Sequence, residues 1–162
     1  MYIRYILYEE TFMVIVFCGH SNYIENIQDE VEILNILESE AGDSPCELFL
    51  GGYGNFDAFA FRCAKKFRQK HTLSKLIFVT PYLSRGDELG ESIYTMEELD
   101  SVLYPGLENV PLRYAISHRN RWMVEQADIV ISFVSHRYGG AYTTYLNAKR
   151  NNKKIYNLGL LK

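Results

Sequence analysis

Four stretches of this chain are apolar with little alternation: "FMVIVF" at residues 12–17, "ELFL" at 47–50, "LIFV" at 76–79 and "IVISFV" at 129–134. Such runs belong to strands covered on both faces, because a strand with one wet face would carry a polar residue at every second position. "KIYNL" at 154–158 reads as a fifth strand. Between the runs the spacing becomes that of helices: Ile24, Ile27, Val31, Leu34 and Leu37 recur at intervals of three and four, as do Phe56, Ala60, Cys63 and Phe67. Residues 116–126 and 142–150 supply two more helical segments. Strand and helix therefore alternate, and parallel strands need crossovers of this kind. The expectation is an α/β domain, a Rossmann-like open sheet, mainly parallel, of about five strands with helices on both faces.

At 162 residues the chain suits one such domain and is short for two, so residues 1–162 read as a single domain. Residues 1–11 precede Met13 and the first strand, and read as an N-terminal extension or the product of an early start codon. Residues 81–111 break the rhythm, with Gly86, Gly90, Pro105 and Gly106 scattered among acidic residues. A connection of that length is either an irregular insertion or a lid. Within it, "TMEELDSVL" at 95–103 suggests a short helix.

Composition removes several classes of function. A net charge of −3 and a pI near 5.8 give no basic excess to attract a polyanion, so duplex nucleic acid is not the expected partner. The one locally basic run, "HRNR" at 118–121, is either a solvated helix face or a grip for a small anion. Cys18, Cys46 and Cys63 are odd in number and lack the spacing of a zinc site. They are expected to be free thiols in a reducing, cytoplasmic setting, with Cys18 and Cys63 serving as small buried hydrophobes. No metal and no cofactor is expected. No apolar run approaches the length of a membrane span, so a membrane is not an expected partner.

In an open α/β sheet, ligands gather at the carboxyl ends of the strands, near the point where strand order reverses. That rule alone selects "CGHSN" at 18–22, "GGYGNFD" at 51–57, "TPYL" at 80–83 and "SHRYGGAYTT" at 135–144. Two of these carry glycine clusters that run into a helix. Glycine lets the backbone approach a ligand closely, and the unpaired N–H groups of a helix start favour an anion. The first loop offers Gly19, His20 and Ser21; the second, Gly51, Gly52, Gly54 and Asn55; the fourth, Gly139, Gly140 and Thr143. Tight turns need glycine too, and both readings stay open for each cluster. Familiar motifs fail on spacing. "GYGNFD" has Asp57 where the dinucleotide fingerprint needs its third glycine, GxxxxGK[ST] is absent, and "GHSNY" is no nucleophile elbow.

"RNRWMVEQADIVISFV" followed by "GGAYTTYLNAK" and "KKIYNL", together with "GGYGNFDAFAFRCAKK" and "CGHSN", resembles the SLOG superfamily, the lonely-guy-like Rossmann-type domains, and most of all its uncharacterised bacterial members. The resemblance spans residues 12–160. It implies a site for a nucleotide or nucleoside-derived small molecule. In the lonely-guy enzymes an RKxxM and a GGxGTxxE motif support cleavage of an N-glycosidic bond, so the resemblance also raises a hydrolase or transferase acting there. Arg119 and Met123 match the first motif with Asn120 in place of its lysine; Gly139, Gly140 and Thr143 match the second, with Tyr142 for its third glycine and Tyr145 read in place of its glutamate. Relatives pair through helix faces, which leaves a homodimer open.

Cleavage of a glycosidic bond builds positive charge on the sugar and calls for a carboxylate. With the family's own glutamate missing, Asp57 is the substitute, unless it serves only the dipole of its helix; Glu125 and Asp128 are weaker candidates. Arg119 is the expected charge partner of a phosphate or carboxylate, since a guanidinium keeps its charge and binds in a fork. Arg121 stands second, and Trp122 and Tyr138 are candidates for stacking on a base or for packing. The alternative to an enzyme is a non-catalytic sensor or interaction module acting through a protein partner.

Overall fold

A computed structural model describes residues 12–83 and 96–162. The chain runs β1 (Met13–Gly19), α1 (Ile27–Glu40), β2 (Cys46–Leu50), α2 (Asn55–Lys70), β3 (Ser74–Val79), β4 (Ser101–Leu103), α3 (Ala115–Gln126), β5 (Ile129–Phe133), α4 (Gly139–Arg150) and β6 (Lys154–Asn157), with short 3-10 turns at Met96–Glu98 and Leu112–Tyr114. The strands form one sheet in the order β4-β3-β2-β1-β5-β6, and every pairing is parallel. The chain thus moves outward from β1 to β4, then returns to the other side of β1. The order reverses between β1 and β5, and their carboxyl ends diverge there into a crevice.

Each strand divides its residues between two cores. Ile15 and Phe17 of β1, with Leu48, Leu50, Leu76 and Phe78, pack under Ile33 and Leu37 of α1 and Phe56, Ala60, Cys63 and Phe67 of α2. Val16, Phe49, Ile77, Val79 and Val130 point the other way, onto Met123 and Val124 of α3 and Ala148 of α4. Both faces are dry, which explains the uninterrupted apolar runs. Each fully buried Phe or Leu contributes about 1.5–3 kcal/mol relative to exposure.

The sheet has six strands rather than five. The extra one is β4, which pairs Ser101–Val102–Leu103 with Ile77–Phe78–Val79 inside the segment expected to form a short helix. Among the described residues of that segment, helical geometry is limited to the turn at Met96–Glu98. Asp100 is the reason: its carboxylate accepts the Leu76 N–H at 2.8 Å and pairs with Arg68 at 2.7 Å, which fixes the chain at the sheet edge where the next three residues can pair. The remainder of the lid reading, residues 84–95, lies outside the described residues, as does the N-terminal extension at 1–11.

Two helix starts also differ. The pattern beginning at Ile24 yields a helix only from Ile27, capped by the Asn26 side chain, which accepts the Gln28 N–H at 2.8 Å. Ile24 and Ile27 are 86% and 81% exposed; the inward face is carried by Ile33, Leu37 and a buried Asp29, whose carboxylate accepts the Tyr23 hydroxyl at 2.7 Å. α4 begins at Gly139 rather than Tyr142, so the glycine pair lies in its first turn.

Candidate functional site

At the crevice between β1 and β5 lies a cleft of about 400 Å³. β1 and its loop contribute Gly19, His20 and Ser21; the β2 end contributes Gly51, Tyr53 and Asp57; α3 contributes Arg119 and Asn120; the start of α4 contributes Gly139, Gly140, Ala141 and Thr144. Three of the four segments chosen by the carboxyl-end rule therefore line it, joined by α3.

The two loops after β1 and β2 are fastened to each other. Asn55 donates its backbone N–H to Ser21 O at 3.0 Å and its side-chain amide to Tyr23 O at 3.2 Å. Gly54 makes this approach feasible: its φ is +121°, and a Cβ there would come within 2.9 Å of the Ser21 Cα. Tyr53 donates its N–H to Asp57 Oδ2 at 2.8 Å. Two of the amides at residues 52–55, expected to cradle an anion, are thus already paired within the protein. Gly52, Gly54 and Asn55 shape the loop without lining the cleft.

Asp57 sits in the first turn of α2, and its carboxylate occupies the place that an external anion would take at that helix start. Burial pushes its pKa up to about 6, against the opposing pull of the Tyr53 amide and the Arg119 charge. A carboxyl in that range can both hold and release a proton near neutral pH. The neighbouring Arg119 is 2% exposed. Its Nη1 donates to Gly51 O at 2.7 Å and to Val79 O at 2.6 Å, and its Nε donates to Asn120 Oδ1 at 2.8 Å. A Cβ at Gly51 would lie 3.0 Å from Asp57 Oδ2 and 3.4 Å from Arg119 Nη2, so both groups converge on one spot in the cleft wall. Arg119 ties the ends of β2 and β3 together while placing a fixed positive charge beside Asp57.

The opposite wall is different. Gly139, with φ +85°, and Gly140 open α4 with nothing within 4 Å of where their Cβ atoms would stand, and the capping residue Tyr138 makes no side-chain cap hydrogen bond. The N–H groups of this first turn have no hydrogen-bond partner among the described residues, whereas Tyr53 and Asn55 at the start of α2 have theirs paired. Beside them His20, 5% exposed, accepts the Ser135 N–H at Nε2 at 3.0 Å. That contact puts the proton of a neutral ring on Nδ1. Burial, and secondarily the neighbouring His136, hold its pKa below the usual range, so the ring is neutral at physiological pH. His136 stacks on His20 with ring centroids 3.5 Å apart, and its Nδ1 is buried with no hydrogen-bond partner among the described residues.

Other candidates fall away from the cleft. Thr143 is turned to solvent and donates to Gly139 O at 3.2 Å; Thr144, one residue on, is the threonine that lines the cleft. Counted along the motif, the place of the lonely-guy glutamate is Leu146, next to Tyr145, and neither residue reaches the cleft; Tyr145 packs beside Tyr142 instead. Asp128 lies at the opposite edge of the sheet, where its carboxylate accepts the Val14 N–H at 2.8 Å. Glu125 and Arg121 are exposed outside the cleft. Trp122 stacks on Phe49 at 5.9 Å as part of the second core. Tyr53 and His136 line the cleft as well, and the sequence signal for both is their place in the two glycine segments. Cys18 lines the cleft too, its thiol pushed up to about 12 mainly by burial and by Asp57, which makes it a poor nucleophile. Among the described residues no group of His, Cys, Asp and Glu is placed to hold a metal ion, and no helix is long and apolar enough to cross a membrane.

Sheet order and cleft together define a Rossmann-like α/β protein with a cleft at the switch point. No family model and no curated protein sequence matches the chain. Among solved structures it is similar to DNA processing protein A (DprA) from Streptococcus pneumoniae, with a TM-score of 0.64 and 18% identity over 90% of this chain and 50% of that one. It is also similar to the molybdenum cofactor carrier protein of Chlamydomonas reinhardtii (TM-score 0.54, 14% identity, 90% of this chain and 76% of that one) and to the structural-genomics target TM1055 (0.50, 13%, 88% and 72%). Identities this low establish the shared fold alone. The chain spans half the length of DprA.

Proposed function

We propose that this protein is a SLOG-type domain that binds a nucleotide or nucleoside derivative in the β1–β5 cleft, in a cytoplasmic setting. The observation that carries the reading is the contrast between the two helix starts: at α2 the Tyr53 and Asn55 amides are taken by Asp57 and Ser21, whereas Gly139, Gly140 and Ala141 of α4 line the cleft near the buried His20 with their N–H groups unpartnered among the described residues. A phosphate or other polar group fits the open start, since unpaired N–H groups and the helix dipole both favour negative charge. Asn120 and Ser21 also line the cleft and suit the hydroxyls of a sugar. Arg119 acts chiefly by fixing Gly51 and Val79 and by setting the charge around Asp57.

An N-glycosidic hydrolase or transferase would use Asp57 as the carboxylate that supports the developing charge on the sugar. Binding without turnover is supported by a specific observation: Asp57 Oδ2 is committed to Tyr53, and among the described residues no glutamate lines the cleft. One of the fold neighbours is named as a carrier, a role of that kind.

The test is to melt the protein with a panel of nucleoside monophosphates and dinucleotides and to assay the same mixtures for free base. A ligand at a hundred times its dissociation constant adds about 2.7 kcal/mol of stability. Release of free base that disappears in Asp57→Asn marks an enzyme, stabilisation without release marks a receptor, and neither response overturns the nucleotide reading.

A further inference from the structure

We infer that His20, His136 and Tyr138 form a stacking platform that receives the planar base of the ligand on Tyr138, an inference that rests on the nucleotide reading of the same cleft. The three rings make a column. His20 and His136 lie 3.5 Å apart between centroids and 12° from parallel; His136 and Tyr138 lie 3.8 Å apart and 20° from parallel. Exposure rises along it, from 5% at His20, through a half-buried His136, to 70% at Tyr138.

The inner end is anchored. His20 Nε2 holds the Ser135 N–H, and the ring meets Phe133 edge-on at 6.5 Å, so the column stands on the aromatic core around Phe133, Tyr23 and Phe56. A neutral His20 keeps the inner contact free of charge repulsion. The outer ring is therefore held in place by packing rather than left to swing as a lone surface tyrosine would, and an ordered ring costs less to bind against. Tyr138 is also the capping residue of α4, immediately before the open amides of Gly139 and Gly140. One ligand carrying a phosphate and a flat ring can engage both. Every base has a π-face, so a platform of this kind tolerates different bases and discriminates against ligands that have none.

The experiment is calorimetric titration of wild type, Tyr138→Phe and Tyr138→Ala with the four common nucleoside monophosphates and, as the baseless control, ribose 5-phosphate. Tyr138 is exposed enough for its replacement to leave folding intact, which circular dichroism checks. Wild type and Tyr138→Phe are expected to bind the tightest nucleotide about tenfold or more above ribose 5-phosphate, and Tyr138→Ala to lose that margin while its affinity for ribose 5-phosphate stays put. A margin unchanged in Tyr138→Ala overturns the platform and leaves the nucleotide reading standing. Absence of binding by wild type to any nucleotide overturns both.

Discussion

Asp57 carries two duties that pull against each other. Its carboxylate closes the start of α2 through Tyr53, yet burial lifts its pKa from 3.8 to about 6 in the folded chain. Between those values the folded state binds the proton more tightly than the unfolded state, so stability falls as pH rises through the window, by about 3 kcal/mol in all. His20 works in the opposite sense nearby: its lowered pKa means that stability is lost as pH falls below the usual imidazole value. The Asp57 contribution is therefore read as a difference. Subtracting the unfolding free energy of Asp57→Asn from that of wild type across the acid range should leave a curve that declines from about pH 4 to about pH 6 and is flat above. A difference curve that rises over that window would mean that the folded protein stabilises the carboxylate instead. Nothing in the letters "GNFD" distinguishes these outcomes. The position of Asp57 one turn into a helix was readable, but its pKa is set by burial in a folded setting that also holds Cys18 and Arg119, which are distant in sequence.

Among the elements, the helices show most plainly what patterning does and does not reveal. α2 was legible because Phe56, Ala60, Cys63 and Phe67 all point into the first core. α1 was legible as a helix but not in its facing: Ile24, just before it, and Ile27, its first residue, are exposed, because Asp29 and Tyr23 take up the inward position with a hydrogen bond of their own. β4 went unread since three residues are too few for a pattern, and its placement depends on Asp100 reaching Leu76. The seam between β1 and α2 gives a sharp prediction. A Cβ at Gly19 would stand 2.3 Å from the Phe56 ring, which is itself fully buried, so neither can yield. Gly19→Ala should cost about 1–3 kcal/mol, seen as a lower midpoint in urea with little change in slope. An unchanged midpoint would show that β1 and α2 are less closely packed than described.

For the molecule as a whole, the order of elements was enough to forecast a doubly wound sheet and to point to its carboxyl edge, since both follow from alternation and handedness. Which side chains line the cleft at that edge, and how they are paired, was less accessible. Which glycine loop stays open was decided by pairings between segments more than thirty residues apart, such as Asn55 with Tyr23 and Arg119 with Val79. Arg119 stood out in sequence as a free anion grip, whereas folding spends its Nη1 and Nε on Gly51, Val79 and Asn120. The stacked column was hidden because His136, which carries Tyr138, meets His20 only across the β1–β5 switch. The central claim is that ligand enters at this switch, against the start of α4. Backbone amide NMR of the labelled protein, titrated with the tightest nucleoside monophosphate, tests it directly. Saturable shifts should centre on Gly139, Gly140 and Ala141 and extend to Gly51 and Asp57, while the groove formed by Glu32, Asn35 and Tyr156 stays silent. Shifts confined to that groove, or none at any concentration, would contradict the account.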